Sequence, residues 1–385
     1  MTYIHQQPRW PDLAWDSEVL AGALADVRYK QGKHLGQMEA LGFDLRTEAS
    51  LTALTDEVVK SSAIEGENLD PAEVRSSIAR QLGLGYAGLP EPRREVDGVV
   101  EMMLDATRNF ETPLTAERLF GWHAALFPTG RSGLRRITVG AWRTREAGPM
   151  QVVSGPIGKE RVHFQAPEAE RLESEMEGFL EWFAGRSGID PVLKAAVAHL
   201  WFVTIHPFED GNGRIARAIG DMALSQADGT QDRFYSMSSA IEAERREYYF
   251  QLESAQRGSL DVTAWIAWFL GCLDRAIQAA KGTLASVLYK AKLWQRIDPG
   301  AVNERQRTVI NRMLDNFKGH LTTSKYAKLA SCSTDTALRD IRELLAPGIV
   351  VKNPGGGRST SYRLAEPDDL PARAPSSNTR RRRHR

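Results

Sequence analysis

Residues 206–214 read HPFEDGNGR, which places an imidazole, two carboxylates, two glycines, an amide and a guanidinium within nine positions. Glycines let backbone N–H groups approach phosphate oxygens closely, because no Cβ intervenes. Residues 214–224 carry apolar side chains at helical spacing, which predicts a helix directly after the glycines. A glycine-rich turn that leads into a helix N-terminus binds anions through its free N–H groups and the helix dipole. The stretch therefore predicts a site for a nucleotide phosphate.

The side chains around this turn predict what would surround the phosphate. Arg214 and Arg217 are three residues apart, so they share a helix face and can hold a polyphosphate through bidentate contacts. Asp210 offers a hard oxygen ligand to a Mg²⁺ or Mn²⁺ ion that bridges phosphates. His206 has an ordinary pKa of about 6.5, which suits it to take a proton from an attacking hydroxyl.

The nine-residue stretch resembles the signature of the Fic family, H-P-F-x-[DE]-G-N-G-[RK], and Arg217 matches the second arginine of the longer form. The resemblance covers roughly residues 95–280. It implies a mainly α-helical fold and transfer of AMP from ATP to a Tyr, Thr or Ser hydroxyl of a target protein. It also implies that His206 is the base, that Asp210 holds the metal and that Phe208 is a core anchor.

The same resemblance implies a set of residues that contact ATP. Several belong to the motif itself, and the others come from segments distant in the sequence. The implied contacts are Glu65, Val152, Val153, Ser154, Gly211, Asn212, Gly213, Arg214, Ile215, Ala216, Arg217 and Tyr249.

An upstream segment, SSAIEG from Ser61 to Gly66, resembles the inhibitory pattern of the family, [ST]-x-x-x-E-[GN]. Residues 51–64 have apolar side chains at helical spacing, and a glycine just past them is a natural helix end. Ser61 and Glu65 are four apart, so they lie on one face. By resemblance Glu65 pairs with Arg217 and keeps the γ-phosphate from seating productively. The alternative is an ordinary helix that ends in Glu-Gly.

Residues 151–165 read as a hairpin, because two β-like runs flank a turn that contains Gly and Pro. By resemblance this hairpin is the flap that takes up the backbone of the target protein as an extra strand and so presents a hydroxyl to the base. The alternative is a purely structural hairpin. We interpret His163 and His199 as structural residues.

A helix that contains residues 245–250 carries Tyr249, and Gln256 lies seven residues further on. By resemblance the two residues border the adenine. The alternative is that Tyr249 belongs to the core, as aromatic residues at helical spacing commonly do.

Four regions follow from the pattern along the chain. Residues 1–90 are predicted to be a helical region that includes the inhibitory helix at about 51–66. Residues 91–285 are predicted to form the Fic domain, residues 300–365 a separate unit, and residues 366–385 a disordered basic tail. The tail carries six arginines against three acids.

Helix starts are predicted at three aspartates. Asp16 (or Ser17) can cap a first helix, and an Asp-Pro pair at 70–71 opens another. A second Asp-Pro pair, at 190–191, starts the helix that leads to His206.

The unit at 300–365 resembles a winged helix-turn-helix. Its pattern predicts helices at 305–314, 323–329 and 333–345, followed by a hairpin over 349–364. Such a unit contacts DNA or protein, and both interpretations are open. Phosphate contacts would come from Arg339, Arg342, Lys352 and Arg358.

Composition sets the remaining expectations. The 385 residues carry a net charge of +1, which selects no partner class, and the two cysteines, Cys272 and Cys332, predict no disulfide framework. The N-terminus shows no apolar signal segment. The longest apolar runs, at 195–205 and 264–273, are too short for a membrane span. These features predict a cytoplasmic protein without membrane contact; whether it forms a homodimer stays open.

Two other reactions and one other class of protein remain open. The loop does not specify which side of a pyrophosphate is attacked, so phosphocholine transfer is an alternative. Removal of AMP is another, with Glu65 orienting a water molecule. From a different class comes a nucleotide-sensing regulator whose unit at 300–365 binds DNA.

Overall fold

The computed structural model describes residues 2–84, 90–155, 161–185, 188–314, 317, 319–354, 360–366 and 370. The chain divides into two compact units, Met1–Thr283 and Leu284–Arg385. In the described ranges, no helix combines the length and the apolar character that crossing a bilayer demands.

The first unit is built from helices with short antiparallel strand pairs between them. The strand pairs described in it are β1 (Arg131–Ser132) with β2 (Arg135–Arg136), and β3 (Gln151–Ser154) with β4 (Arg161–Gln165). Its helices are α1 (Ser17–Glu39), α2 (Phe43–Ile64), α3 (Pro71–Gln81), α4 (Arg94–Arg108), α5 (Ala116–Leu126), α6 (Leu172–Ala184), α7 (Pro191–Ile205), α8 (Asn212–Asp228), α9 (Met237–Ala243), α10 (Arg245–Gln256) and the first part of α11 (Thr263–Arg296).

The predicted aspartate caps are confirmed. Asp16 accepts hydrogen bonds from the N–H groups of the first turn of α1, Asp70 does so at α3, and Asp190 does so at α7. Each satisfies N–H groups that have no partner within the helix. Helix α2 begins at Phe43, earlier than the predicted start at residue 51.

The core of this unit centres on α7 and α8, and α7 is buried nearly all round. Ile4, Leu20 and Leu51 belong to the same buried cluster as α7 and α8. The amino-terminal helices therefore share one core with the rest of the first unit, and the region boundary at residue 90 stays a prediction.

The second unit contains α12 (Glu304–Leu314), α13 (Thr323–Leu329), α14 (Thr334–Leu345), β5 (Val350–Lys352) and β6 (Tyr362–Leu364). Three helices and a hairpin follow in the predicted order; the winged-helix assignment itself stays a prediction.

The buried cluster of the second unit sets its limits. Leu293 and Ile297 belong to this core, so the unit begins before the predicted residue 300. At the other end, Leu370 is also buried in the cluster. Arg358 and most of the predicted tail lie outside the described residues.

Candidate active site

The chain turns from α7 into α8 through a loop with unusual backbone geometry. His206 adopts a left-handed conformation with φ 53° and ψ 58°, and Gly211 has φ 79°. Phe208 is fully buried and stacks on His123 with ring centroids 4.2 Å apart. The Asn212 amide closes the loop, because it accepts from Phe208 N at 3.0 Å and donates to Phe208 O at 2.9 Å. Asn212 thus shapes the loop with its side chain.

His206 is held as a neutral base. Its Nδ1 lies 3.2 Å from Val203 O, so Nδ1–H donates there and Nε2 is left as the acceptor. The pKa of His206 is lowered to about 4, mainly by burial and to a smaller extent by the nearby charge of Arg143, while the Val203 carbonyl, Glu65 and Asp210 oppose the shift. The imidazole is therefore neutral at pH 7 and able to accept a proton.

Both motif arginines are engaged by the end of α2 and the residues that follow it. Arg217 donates to Ser61 Oγ and Ser61 O, both at 2.9 Å, and to Glu65 Oε1 at 2.8 Å. Arg214 Nη1 donates to Glu67 Oε2 at 2.7 Å. The predicted pairing of Glu65 with Arg217 is thus present.

The Glu65 carboxylate also covers the glycine turn. A Cβ atom built on Gly213 would collide with Glu65 Oε1, so the carboxylate occupies the space beside the N-terminus of α8 that a phosphate would use. Arg214 Nε and Arg217 Nη1 are among the buried polar atoms of the described residues that have no hydrogen-bond partner. Buried unpaired donors are costly, and an incoming anion would satisfy them.

Glu67 is a site residue that sequence reasoning missed. Gly66, with φ 88°, turns the chain so that the acids on either side of it both reach the arginines of α8. The inhibitory pattern ends at the glycine, so it does not include Glu67. The sequence does contain a signal for it. A second carboxylate follows Glu65 by two residues, and the motif at 206–217 has two arginines that two carboxylates could pair with.

Asp210 is oriented by its surroundings. Oδ1 accepts from Gly211 N at 2.6 Å, and Oδ2 accepts from Ser132 Oγ on the β1–β2 pair. Sequence reasoning also missed Ser132. The described ranges contain no cluster of three or more metal-ligating side chains. A Mg²⁺ ion does not need one, since one or two carboxylates with substrate phosphates and water complete its shell.

Among the described residues, the β3–β4 hairpin is anchored to α10 through β4. Arg257 donates to His163 O at 2.9 Å and Val162 O at 2.8 Å, and Glu253 accepts from His163 Nδ1 at 2.7 Å. These contacts tie β4 to α10. All four residues of β3, 151–154, are exposed, and no described strand pairs with its outer edge.

His163 and His199 fit their structural interpretation. His163 ties the hairpin to α10 and bonds Ser154 Oγ at 2.5 Å. His199 is buried and bonds the Tyr248 hydroxyl at 3.0 Å. Burial lowers the pKa of His199 to about 3, and the charge of Arg217 adds to the effect.

The remaining residues predicted to contact ATP differ in how far they are buried. Ile215 and Ala216 are fully buried, and the Ile215 N–H donates to Gly211 O, so both residues belong to the body of α8. Tyr249 is 40% exposed and its hydroxyl donates to Ile64 O at 3.2 Å. The Gln256 amide is buried against α7. Of the two residues predicted to border the adenine, Tyr249 is therefore the one that contacts the segment at 61–66.

The comparison with known families agrees with this architecture. Residues 113–224 match the Fic/DOC family, and residues 3–84 match a family described as Domain of unknown function (DUF4172). The chain therefore carries a Fic domain.

Relatives and a solved structure extend the comparison. The chain is 33% identical over 115 residues to the Protein adenylyltransferase Fic of Nematostella vectensis, covering 29% of this chain and 25% of that protein. It is 28% identical over 205 residues to Protein adenylyltransferase fic-1 of Caenorhabditis elegans, covering 53% and 37%. It thus spans well under half the length of these relatives.

A crystal structure of a Fic family protein from Desulfovibrio desulfuricans G20 superimposes with a TM-score of 0.50 at 20% identity, covering 89% of this chain and 96% of that one. This likeness shows the fold.

Proposed function

We propose that the protein transfers AMP from ATP to a Tyr, Thr or Ser hydroxyl of a target protein. The observation that carries the proposal is one arrangement: a neutral His206 imidazole lies beside a helix N-terminus where Arg214 and Arg217 converge. The names of two relatives as protein adenylyltransferases support the reaction type.

In this reaction the chain supplies a base and positive charge. His206 Nε2 takes the hydroxyl proton, the hydroxyl oxygen forms a bond to the α-phosphorus, and the bond to the bridging oxygen breaks so that pyrophosphate leaves with the electron pair. Arg214, Arg217 and the first N–H groups of α8 neutralise the phosphate oxygens. Positioning and charge stabilisation of this kind account for most of the rate enhancement in such reactions.

The donors at this site fit a polyphosphate, because Arg214 Nε and Arg217 Nη1 are buried and without a partner. Asp210 would hold the metal ion, which would supply positive charge to offset that of the phosphates. Its carboxylate is already oriented by Ser132 and Gly211.

The target protein would bind at the β3–β4 hairpin. The exposed edge of β3 offers backbone N–H and C=O groups that can pair with an extended segment. Because β4 is tied to α10, strand addition at β3 would place a side-chain hydroxyl at a fixed distance from the base.

The contacts of α2 support autoinhibition of this activity. Glu65 lies where a phosphate would lie and takes the charge of Arg217, while Glu67 takes that of Arg214. ATP would have to displace both carboxylates to reach the two guanidiniums. While Glu65 stays in place, the γ-phosphate cannot bind Arg217, and the α-phosphorus is then not in line with the attacking hydroxyl.

The test of reaction type uses two labels. Protein incubated with ATP labelled at the α-phosphorus should become radioactive, and protein incubated with γ-labelled ATP should not. Label from the γ position alone would indicate phosphoryl transfer. Removal of AMP, the alternative in which Glu65 orients water, predicts loss of label from a premodified target instead.

Asp210→Asn is expected to weaken the dependence on Mg²⁺ and the activity together, because a neutral amide is a poorer ligand for a hard cation. The measurement is a Mg²⁺ titration of transfer at saturating ATP, with the half-saturating concentration compared between the variant and its parent. An unchanged titration would mean that Asp210 has only a structural role.

A second candidate function rests on the carboxy-terminal unit. Helix α14 presents Arg339 and Arg342 on its exposed side, and Lys352 is exposed on β5. In this alternative the unit binds DNA and the Fic domain senses nucleotide. The same surface would also suit a protein partner.

DNA affinity, if present, is expected to fall steeply with salt, since phosphate contacts release counterions. A gel shift with duplex DNA between low and moderate salt measures this slope, and Arg339→Ala should reduce it. No shift at low salt with the full chain would favour protein contact.

A further inference from the structure

Arg143 lies between β2 and β3, and it is only 3% exposed. Its Nε donates to His206 O at 2.8 Å, and its Nη2 donates to Pro167 O at 2.6 Å. Its backbone N–H donates to Pro207 O at 2.9 Å. Buried guanidiniums commonly pair with carboxylates. Among the ion pairs of the described residues, however, none includes Arg143 (its hydrogen bonds go to carbonyls instead).

These bonds fall on a strained part of the backbone. Among the described residues, only His206 and Ser331 combine a side chain with a positive φ. Such conformations are disfavoured for residues other than glycine and persist where surrounding contacts impose them. The Arg143 guanidinium binds the carbonyl of His206, and the Arg143 backbone N–H binds the carbonyl of Pro207. Together the two bonds fix the peptide groups on either side of the His206–Pro207 link, and with them the direction of the imidazole.

The same guanidinium reaches the base of the β3–β4 hairpin. Pro167 follows β4 closely, and the Ala166 N–H donates to Met150 O at 2.9 Å, which closes the hairpin at that end. The neighbouring Trp142 packs on Phe208, with centroids 5.1 Å apart. One short segment therefore links the loop that carries the imidazole to the hairpin.

We propose that Arg143 is a positioning residue. Through the backbone carbonyls that it binds, it fixes the orientation of the His206 imidazole and the position of that imidazole relative to the β3–β4 hairpin. The proposal rests on the function proposed above, in which His206 is the base and the hairpin receives the target. Arg143 acts through backbone oxygens, since its Nε and Nη2 donate to the carbonyls of His206 and Pro167.

The kinetic test compares Arg143→Met with Arg143→Lys in a Glu65→Gly background. The methionine variant should lose roughly 10²-fold in kcat, the loss typical of a 1 Å misplacement, while KM for ATP changes little. The lysine variant should recover part of the loss, because an ammonium group can still donate to one or two of the carbonyls. A folded methionine variant with unchanged kcat would overturn the proposal.

A spectroscopic test works without any transfer activity. In the wild-type background, ¹⁵N-labelled histidine should report His206 as a single tautomer protonated at Nδ1, and Arg143→Met should change it to a mixture. The His206 pKa should also rise in this variant, because a positive charge that lowers it is removed while Glu65 and Asp210 remain.

The two tests separate the proposals. If the parent transfers nothing, the proposed function fails, but the His206 signals still report on positioning. An unchanged tautomer and pKa in Arg143→Met would overturn the positioning role. Should the methionine variant not fold, the same comparison is made with Arg143→Lys and Arg143→Gln, and wild-type His206 signals in both would overturn it.

Discussion

His206→Ala is expected to lower AMP transfer by ~10²–10⁴-fold, the range typical for loss of a general base. ATP binding should be nearly unchanged, because the phosphate donors lie on α8 and not on the imidazole. The measurement is the initial rate of label transfer in a Glu65→Gly background, together with nucleotide affinity by calorimetry. His320→Ala, at an exposed histidine in the second unit, is the matched control and should leave the rate unchanged.

The pH profile adds an independent check on the same residue. Burial places the pKa of His206 at about 4, below the ordinary value of about 6.5. A base with a lowered pKa stays active as the pH falls until that pKa is reached. The acid limb of kcat/KM should therefore lie below pH 6. Undiminished transfer by His206→Ala would remove His206 from the mechanism altogether.

Glu65→Gly is expected to raise self-modification by roughly ten- to a hundredfold. The substitution removes the carboxylate beside Gly213 and frees Arg217 to bind the γ-phosphate, which lets the α-phosphorus turn in line with the hydroxyl. A charge-assisted hydrogen bond contributes ~1.5–3 kcal/mol, which corresponds to this range. Self-modification at several ATP concentrations is the measurement.

Two variants act as controls for the Glu65 result. Glu67→Gln removes the charge that pairs with Arg214 alone and should give a smaller rise, since the Glu67 side chain is 48% exposed and solvent screens its charge. His206→Ala combined with Glu65→Gly should cancel the gain. Equal activity of wild type and Glu65→Gly across the ATP range would leave Glu65 as an ordinary helix-end residue.

Local signals in the sequence were enough to predict much of the helical framework. Aspartates followed by proline specify helix starts through short-range hydrogen bonds, so the starts of α3 and α7 were predicted correctly. The pairing of Glu65 with Arg217 came from family resemblance, and helical spacing added only that Ser61 and Glu65 share a face. Neither source of information depends on knowing the tertiary fold.

The missed residues act through contacts that only the tertiary fold creates. Arg143 is one arginine among many in the sequence, and nothing near it signals that its guanidinium meets the carbonyl of His206. Ser132 reaches Asp210 from a strand pair 78 positions earlier in the chain. The burial of Ile4 and Leu51 in one cluster with α7 likewise leaves no local mark in the sequence.

The most direct test of AMP transfer is the intact mass of purified Glu65→Gly protein after incubation with ATP and Mg²⁺. The mass should increase by whole adenylyl groups, each located by fragmentation on a Tyr, Thr or Ser hydroxyl, and the increase should vanish in the double variant with His206→Ala. An increase by phosphate groups, or an unmodified protein that nevertheless cleaves ATP, would contradict AMP transfer by this site.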